Sequence, residues 1–173
     1  MAEYEIAIRT RSDIRELLPI LLKYAGAVRR VTEFGTRDGY STIAFLAARP
    51  LRLTCYDLQW TPRIEQLEGL AREAGVEWTF HKQDILKLRE IAPTDLLFID
   101  SRHTREQVAH ELTLSHMVER FILLHDTETF AMRGEGAGEG IWPGISQFLR
   151  SHPEWDIHAV YTNSNGLTIL RRQ

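Results

Sequence analysis

Cysteine occurs once in this chain, at Cys55, so no internal disulfide framework staples it. A lone thiol in a strand-like run suits a reducing compartment, and a cytoplasmic location is expected. No apolar stretch approaches the length that crosses a bilayer, and the opening MAEYEIAIRTRSD lacks a signal-peptide core. A membrane partner is therefore not expected. Surplus positive charge is missing too. The formal net charge of −3 gives no basis for a bulk, sequence-independent grip on nucleic acid. Repeats and linker-like stretches are also lacking. What is present is 173 residues, 43% hydrophobic and 26% charged, enough for one domain with a real core. A single domain over residues 1–173 is the expectation.

The chain alternates strand-like and helix-like runs. Ser12 should start a first helix whose apolar face is Leu17, Leu18, Leu21 and Leu22. A helix over Tyr40–Ala48 should stop before Pro50. Another should begin at Thr61-Pro62 and end at Gly75. Thr104 and Gln107 have capping-box spacing, and Pro143–Leu149 reads as a last helix. Leu96–Ile99 and Phe121–Leu124 are continuously apolar, as in central parallel strands covered on both faces. Trp155–Tyr161 and Leu167–Leu170 flank the turn-rich Asn163–Gly166, which predicts a closing antiparallel hairpin. The class is α/β, a doubly wound and mostly parallel sheet with helices on both faces.

Five of the strand-like runs deliver a carboxylate at or just past their C-terminal ends: Glu33, Asp57, Asp84, Asp100 and Asp126. Ligands of open α/β sheets bind along that rim. The first run opens into Glu33-Phe-Gly35-Thr36-Arg37-Asp-Gly39-Tyr-Ser41, a glycine loop that feeds a helix. Gly35 and Gly39 suit positive φ and close backbone approach, and the helix N–H groups point at a ligand's polar end. The spacing is GxxxG and not the GxGxxG that suits a pyrophosphate. Asp57 ends the second strand, where an acid can bind ribose hydroxyls. Asp100 and Asp126 lie at adjacent strand ends, where two carboxylates could hold a divalent cation such as Mg2+. His103 is the best general-base candidate, because an imidazole can accept a hydroxyl proton near neutral pH. Bonding to backbone to orient its loop is the bland alternative. Phe130–Gly140, glycine-rich and charged, predicts a mobile lid.

These residues resemble the class I S-adenosylmethionine-dependent methyltransferases, whose sheet has seven strands with the last antiparallel. Glu33-Phe-Gly35-x-x-x-Gly39-Tyr-Ser41 and Gln83-Asp84-Ile85 are similar to the catechol and caffeoyl-coenzyme A O-methyltransferase branch. Ile99-Asp100-Ser-Arg-His103-Thr-x-Glu106 and His125-Asp126-Thr127 resemble small bacterial and phage methyltransferases grouped with cephalosporin hydroxylase-type and sugar O-methyltransferase proteins. The resemblance implies S-adenosylmethionine on Glu33, Gly35, Thr36, Arg37, Gly39, Ser41, Asp57, Gln83, Asp84 and Asp100. Glu33 would face the methionine part, and Lys82, Gln83 and Asp84 the adenine. It also implies catalysis by His103, Asp100 and Asp126, with Mg2+ as an optional cofactor on Asp100 and Asp126. In the metal-dependent branch an Asn follows the second aspartate, whereas Thr127 stands here.

The expected reaction is methyl transfer to a hydroxyl oxygen of a small molecule or saccharide. A homodimer is compatible with the absence of a cap domain. Two rivals are a non-catalytic or hydroxylase-like member of the same fold and a nicotinamide-dependent oxidoreductase.

Overall fold

A computed structural model describes residues 2–173. Seven strands form one sheet: β1 (Arg30–Phe34), β2 (Arg52–Asp57), β3 (Glu77–Lys82), β4 (Thr94–Ile99), β5 (Val118–His125), β6 (Trp155–Tyr161) and β7 (Leu167–Arg172). Their order is β3-β2-β1-β4-β5-β7-β6, with β7 antiparallel to both of its neighbours. The chain steps outward from β1 to β3, then returns to place β4 on the other side of β1. That reversal leaves a crevice at the carboxyl ends of β1 and β4.

Why β4 and β5 are continuously apolar is visible in the two cores. Leu96, Phe98, Phe121 and Leu123 face one core, with α1 (Ala2–Ala7), α2 (Leu18–Ala25), α3 (Tyr40–Ala48) and α4 (Pro62–Ala74). Leu97, Ile99, Ile122 and Leu124 face the other, with α5 (Arg105–Leu112) and α6 (Ile141–Ser151). Side chains alternate between faces with period two, so burial on both faces requires an unbroken apolar run.

The helix expected from Ser12 starts later. Residues Arg15–Leu17 form one 3-10 turn and the α-helix begins at Leu18. Pro19 explains the delay: it has no N–H to donate and is accommodated only in a first turn. Helix α4 behaves as its sequence predicts, from Pro62 to a left-handed Gly75, with φ of 71°. The Thr104 side chain accepts the Gln107 N–H at 3.3 Å and caps α5. In the β6–β7 link, Ser164, Asn165 and Gly166 all take positive φ. Among the described residues no helix is long and apolar enough to cross a membrane.

Candidate active site

The glycine loop is anchored at its start by the segments on either side of β1. Gly35 donates to the Tyr56 carbonyl of β2, and Asp100 donates to the Phe34 carbonyl, both at 2.9 Å. Gly35 has φ of 87°, and a Cβ there would run into the Asp100 carbonyl oxygen. Gly39, with φ of 73°, packs on the Leu67 side chain of α4. Both glycines are thus required by packing, Gly35 against backbone and Gly39 against a leucine, whatever else they border. Asp57 completes the loop: its Oδ2 accepts the N–H groups of Thr36 and Arg37, each at 2.9 Å, and its Oδ1 accepts Gln59 N–H.

Beside this loop lies a cleft of about 520 Å3, within the range of small-molecule sites. Gly35, Arg37, Asp57, Asp84, Ile85 and Leu86 are among its walls, and Asp100 closes one end. Asp57 and Asp84 thus share one surface with the apolar Leu58, Ile85 and Leu86, a set of acceptors and apolar walls that suits a nucleoside. Gln83 is exposed and stands outside this lining. Ser41, Thr36 and Gly39 line a smaller recess that also meets Asp100.

Glu33 is not on the cleft surface. It is fully buried, accepting from Ser41 Oγ, from Thr42 Oγ1 at 2.6 Å and from Cys55 Sγ at 3.1 Å. Desolvation pushes its carboxyl up to about 7 against these bonds, which favour the charged form. It ties β1 to β2 and α3 and so holds the loop from behind.

Beyond Asp100 the chain gathers an acid–imidazole cluster. His103 Nε2 lies 2.7 Å from Asp126 Oδ2 and 3.4 Å from Asp100 Oδ1. His125 Nδ1 lies 3.0 Å from Asp100 Oδ1 and 3.4 Å from Asp126 Oδ2. Burial favours neutral rings, but the two carboxylates outweigh it and push both histidines up to about 10. The same contacts hold Asp126 well below the usual carboxylate range. Asp126 Oδ1 is buried with no hydrogen-bond partner among the described residues, an orphan oxygen that fits a cation. Thr127 does not join the cluster: its hydroxyl accepts from Thr168 Oγ1 at 3.1 Å inside the core.

His103 is gripped on its other side by a residue that the sequence did not single out. Its Nδ1 donates to Glu135 Oε1 at 2.7 Å, and its ring stacks on Phe130 at 4.6 Å between centroids. Glu135 belongs to the segment expected to be a loose lid, and there the expectation needs correction. Residues 130–140 form a closed hairpin, with Arg133 bridged to Glu139 and Gly140 N–H on the Met132 carbonyl at 3.0 Å. Glu135 N–H donates to the His103 carbonyl at 3.1 Å, and Arg105 meets Glu139 at 2.5 Å. The segment is a docked wall. Its glycines are consequently unequal. Gly134→Ala and Gly140→Ala would push a methyl into backbone, whereas Gly138 has open space around it. Turnover should fall at least tenfold for Gly140→Ala and stay within twofold for Gly138→Ala. Equal losses at the two positions would return the segment to a lid.

Glu111 of α5 lies behind the same loop, fully buried, accepting from Ser101 Oγ and from Gln107 Nε2 at 2.8 Å. Its other oxygen has no partner among the described residues. Desolvation pushes it up to about 7. A carboxyl raised on folding binds more protons folded than unfolded, so its contribution to stability falls as pH rises between about 4.5 and about 7. Glu111→Gln should remove that loss, flattening the wild-type decline in this window by up to ~3 kcal/mol. Denaturant titrations at pH 5 and pH 8 measure it; parallel slopes in the two proteins would refute it.

A family model described as a methyltransferase domain matches residues 32–127, from β1 through Thr127. None of the curated proteins matches this sequence. The O-methyltransferase TomG of Streptomyces achromogenes, involved in tomaymycin synthesis and solved with S-adenosylmethionine, superposes with TM-score 0.66 at 20% identity, covering 99% of this chain and 88% of that one. The Podospora anserina methyltransferase PaMTH1, solved with S-adenosylhomocysteine, gives TM-score 0.63 at 16% identity over 99% and 87%. An N1-methyltransferase of Burkholderia thailandensis acting on 1,6-didemethyltoxoflavin gives 0.66 at 16% over 94% and 79%. At such identities the likeness is one of fold, and acceptors on oxygen and on nitrogen share it. With the family model spanning the glycine loop, the cleft and the acid cluster, the chain belongs to the methyltransferase-domain family of class I S-adenosylmethionine-dependent methyltransferases.

Proposed function

We propose that the protein transfers a methyl group from S-adenosylmethionine to a hydroxyl oxygen of a small molecule or saccharide, assisted by a divalent cation. One observation carries this reading: Asp100 is shared between the cofactor cleft and the acid–imidazole cluster. A proton-accepting group therefore stands next to the place where the methyl donor fits. S-adenosylmethionine supplies a methyl group already activated by the sulfonium charge. The protein's work is then to align the acceptor and to manage its proton.

Asp57 would receive the ribose, Ile85 and Leu86 would wall the adenine, and the N-terminus of α3 would face the methionine end. Thr36, Arg37, Gly39 and Ser41 would border that end, with Glu33 holding them from behind. Asp100 and Asp126 would hold the cation, which lowers the pKa of a bound acceptor hydroxyl. With those two carboxylates engaged by a cation, His103 would lose their share of the attraction that keeps its ring protonated, while Glu135 stays on Nδ1. Its Nε2 can then take the hydroxyl proton while Glu135 and Phe130 keep the ring in plane. Met132 is exposed beside this wall and suits an apolar portion of the acceptor. The reaction would take place in the cytoplasm, by a monomer or a homodimer.

Calorimetry with S-adenosylhomocysteine and with NAD, followed by turnover of hydroxylated acceptors with and without EDTA, tests the whole. S-adenosylhomocysteine should bind and NAD should not. Chelator should abolish turnover and leave cofactor affinity within twofold. Full turnover in excess EDTA would remove the cation and leave His103 acting alone.

A further inference from the structure

Resting on the cation reading above, the placement of His125 narrows the kind of ion. His125 ends β5 and is 2% exposed. Its Nε2 donates to the Ser164 carbonyl at 3.0 Å, and Ser164 is held in the β6–β7 link at φ of 46°. With Nε2–H engaged, Nδ1 is the position left for another partner. That atom faces Asp100 Oδ1 and Asp126 Oδ2. Metal-ligating histidines are held in this way, with the second ring N–H donated to a backbone carbonyl that fixes tautomer and orientation.

The donor atoms of Asp100, His125 and Asp126 all lie within 4.8 Å of one another. That is close to twice a metal–ligand bond of about 2.1 Å, so small side-chain adjustments would bring all three onto one ion. Two further observations are not explained by hydrogen bonding inside the cluster. Asp126 Oδ1 is buried and unpartnered among the described residues. Asp126 itself holds φ of 61°, a left-handed conformation that costs a non-glycine residue energy and that concentrates at functional sites.

We propose that Asp100, His125 and Asp126 form a mixed imidazole–carboxylate site for a divalent first-row transition ion of the Mn2+, Fe2+ or Co2+ class, bound in preference to Mg2+. Mg2+ is a hard ion that favours oxygen and sheds water reluctantly, so a buried imidazole nitrogen is a poor ligand for it. Neutral imidazole also brings no negative charge to offset that reluctance. For transition ions the same nitrogen is a good donor. His103 stays outside the donor set, with Nδ1 on Glu135 and Nε2 on Asp126 Oδ2 as a hydrogen-bonding neighbour of the site.

The test uses the full chain, stripped with chelator, saturated with S-adenosylhomocysteine, and titrated by calorimetry with Mn2+, Co2+ and Mg2+ in turn. One Mn2+ or Co2+ per chain should bind at least tenfold more tightly than Mg2+. His125→Glu, which supplies oxygen in place of nitrogen, should shrink that ratio at least tenfold. Should the variant misfold, pulsed electron spin resonance of Mn2+ on the wild-type protein reads the ligand directly. A directly bound imidazole nitrogen should modulate the echo, and His103→Ala should retain the modulation. Mg2+ binding within threefold of Mn2+ and Co2+ would overturn the inference, as would an echo without nitrogen modulation or its loss in His103→Ala. No ion binding at all would overturn it together with the cation part of the proposed function. Binding of S-adenosylhomocysteine in the same samples judges the cofactor reading separately.

Discussion

His103→Ala should lower turnover by about 10²–10⁴-fold, the range typical of losing a general base, while affinity for S-adenosylhomocysteine stays within twofold. The separation follows from position. His103 touches Asp100, Asp126, Glu135 and Phe130, whereas the cleft wall is built from the loop at Gly35, from Asp57 and from Asp84–Leu86. Removing the ring also strips the stacking partner of Phe130 and one anchor of the hairpin. A control therefore compares His103→Gln, which retains a side chain of similar reach and hydrogen-bonding capacity but has no basic nitrogen. Both variants should be equally slow. Recovery of turnover in His103→Gln would make the residue a structural strut.

Asp126→Asn should have the larger effect on the cluster as a whole. Asparagine tolerates the left-handed backbone that this position requires, so the substitution removes charge with little change of shape. The side chain of Asp126 is 6% exposed and faces both histidines, at 2.7 Å and 3.4 Å. Without a cation, two imidazoliums would then face Asp100 alone at the centre of the cluster, with Glu135 on the far side of His103 only. Breaking a buried pair by removing one partner costs about 3–5 kcal/mol, and unfolding in EDTA should show a loss of that order. Turnover should fall below detection with or without added ion. A variant as stable as wild type in EDTA would mean that the histidines are neutral in the folded chain. A variant with normal turnover would take Asp126 out of the reaction.

The sheet class and the order of elements could be read along the chain because both follow from local rules. Unbroken apolar runs at Leu96–Ile99 and Phe121–Leu124 require cover on both faces, and Pro62 with Gly75 brackets a helix wherever it packs. Asp100, His103 and Asp126 were legible as well, since strand ends in a doubly wound sheet meet on one rim. The delayed start of α2 was legible in principle, because Pro19 belongs to a first turn.

Other assignments depended on which atoms meet across long separations in sequence. Glu33 lies in the loop motif that predicts cofactor contact, but packing turned it inward onto Ser41, Thr42 and Cys55. The glycine-rich stretch reads as loose by composition, yet pairing with His103 and Arg105 makes it a wall. Its Glu135 could not be picked out, because no spacing rule links a residue to a histidine thirty-two positions earlier. His125 stands out in sequence only by preceding Asp126; which of its nitrogens faces the acids was decided by the β6–β7 link, which puts the Ser164 carbonyl on its Nε2. The amino-acid order determined the secondary structure, the rim and the acids on it, through backbone and patterning preferences that act over a few residues. The direction of each acid and the partner of each histidine are set by contacts among β1, β4, β5, the 130–140 hairpin and the closing turn, and those exist only once the sheet has formed.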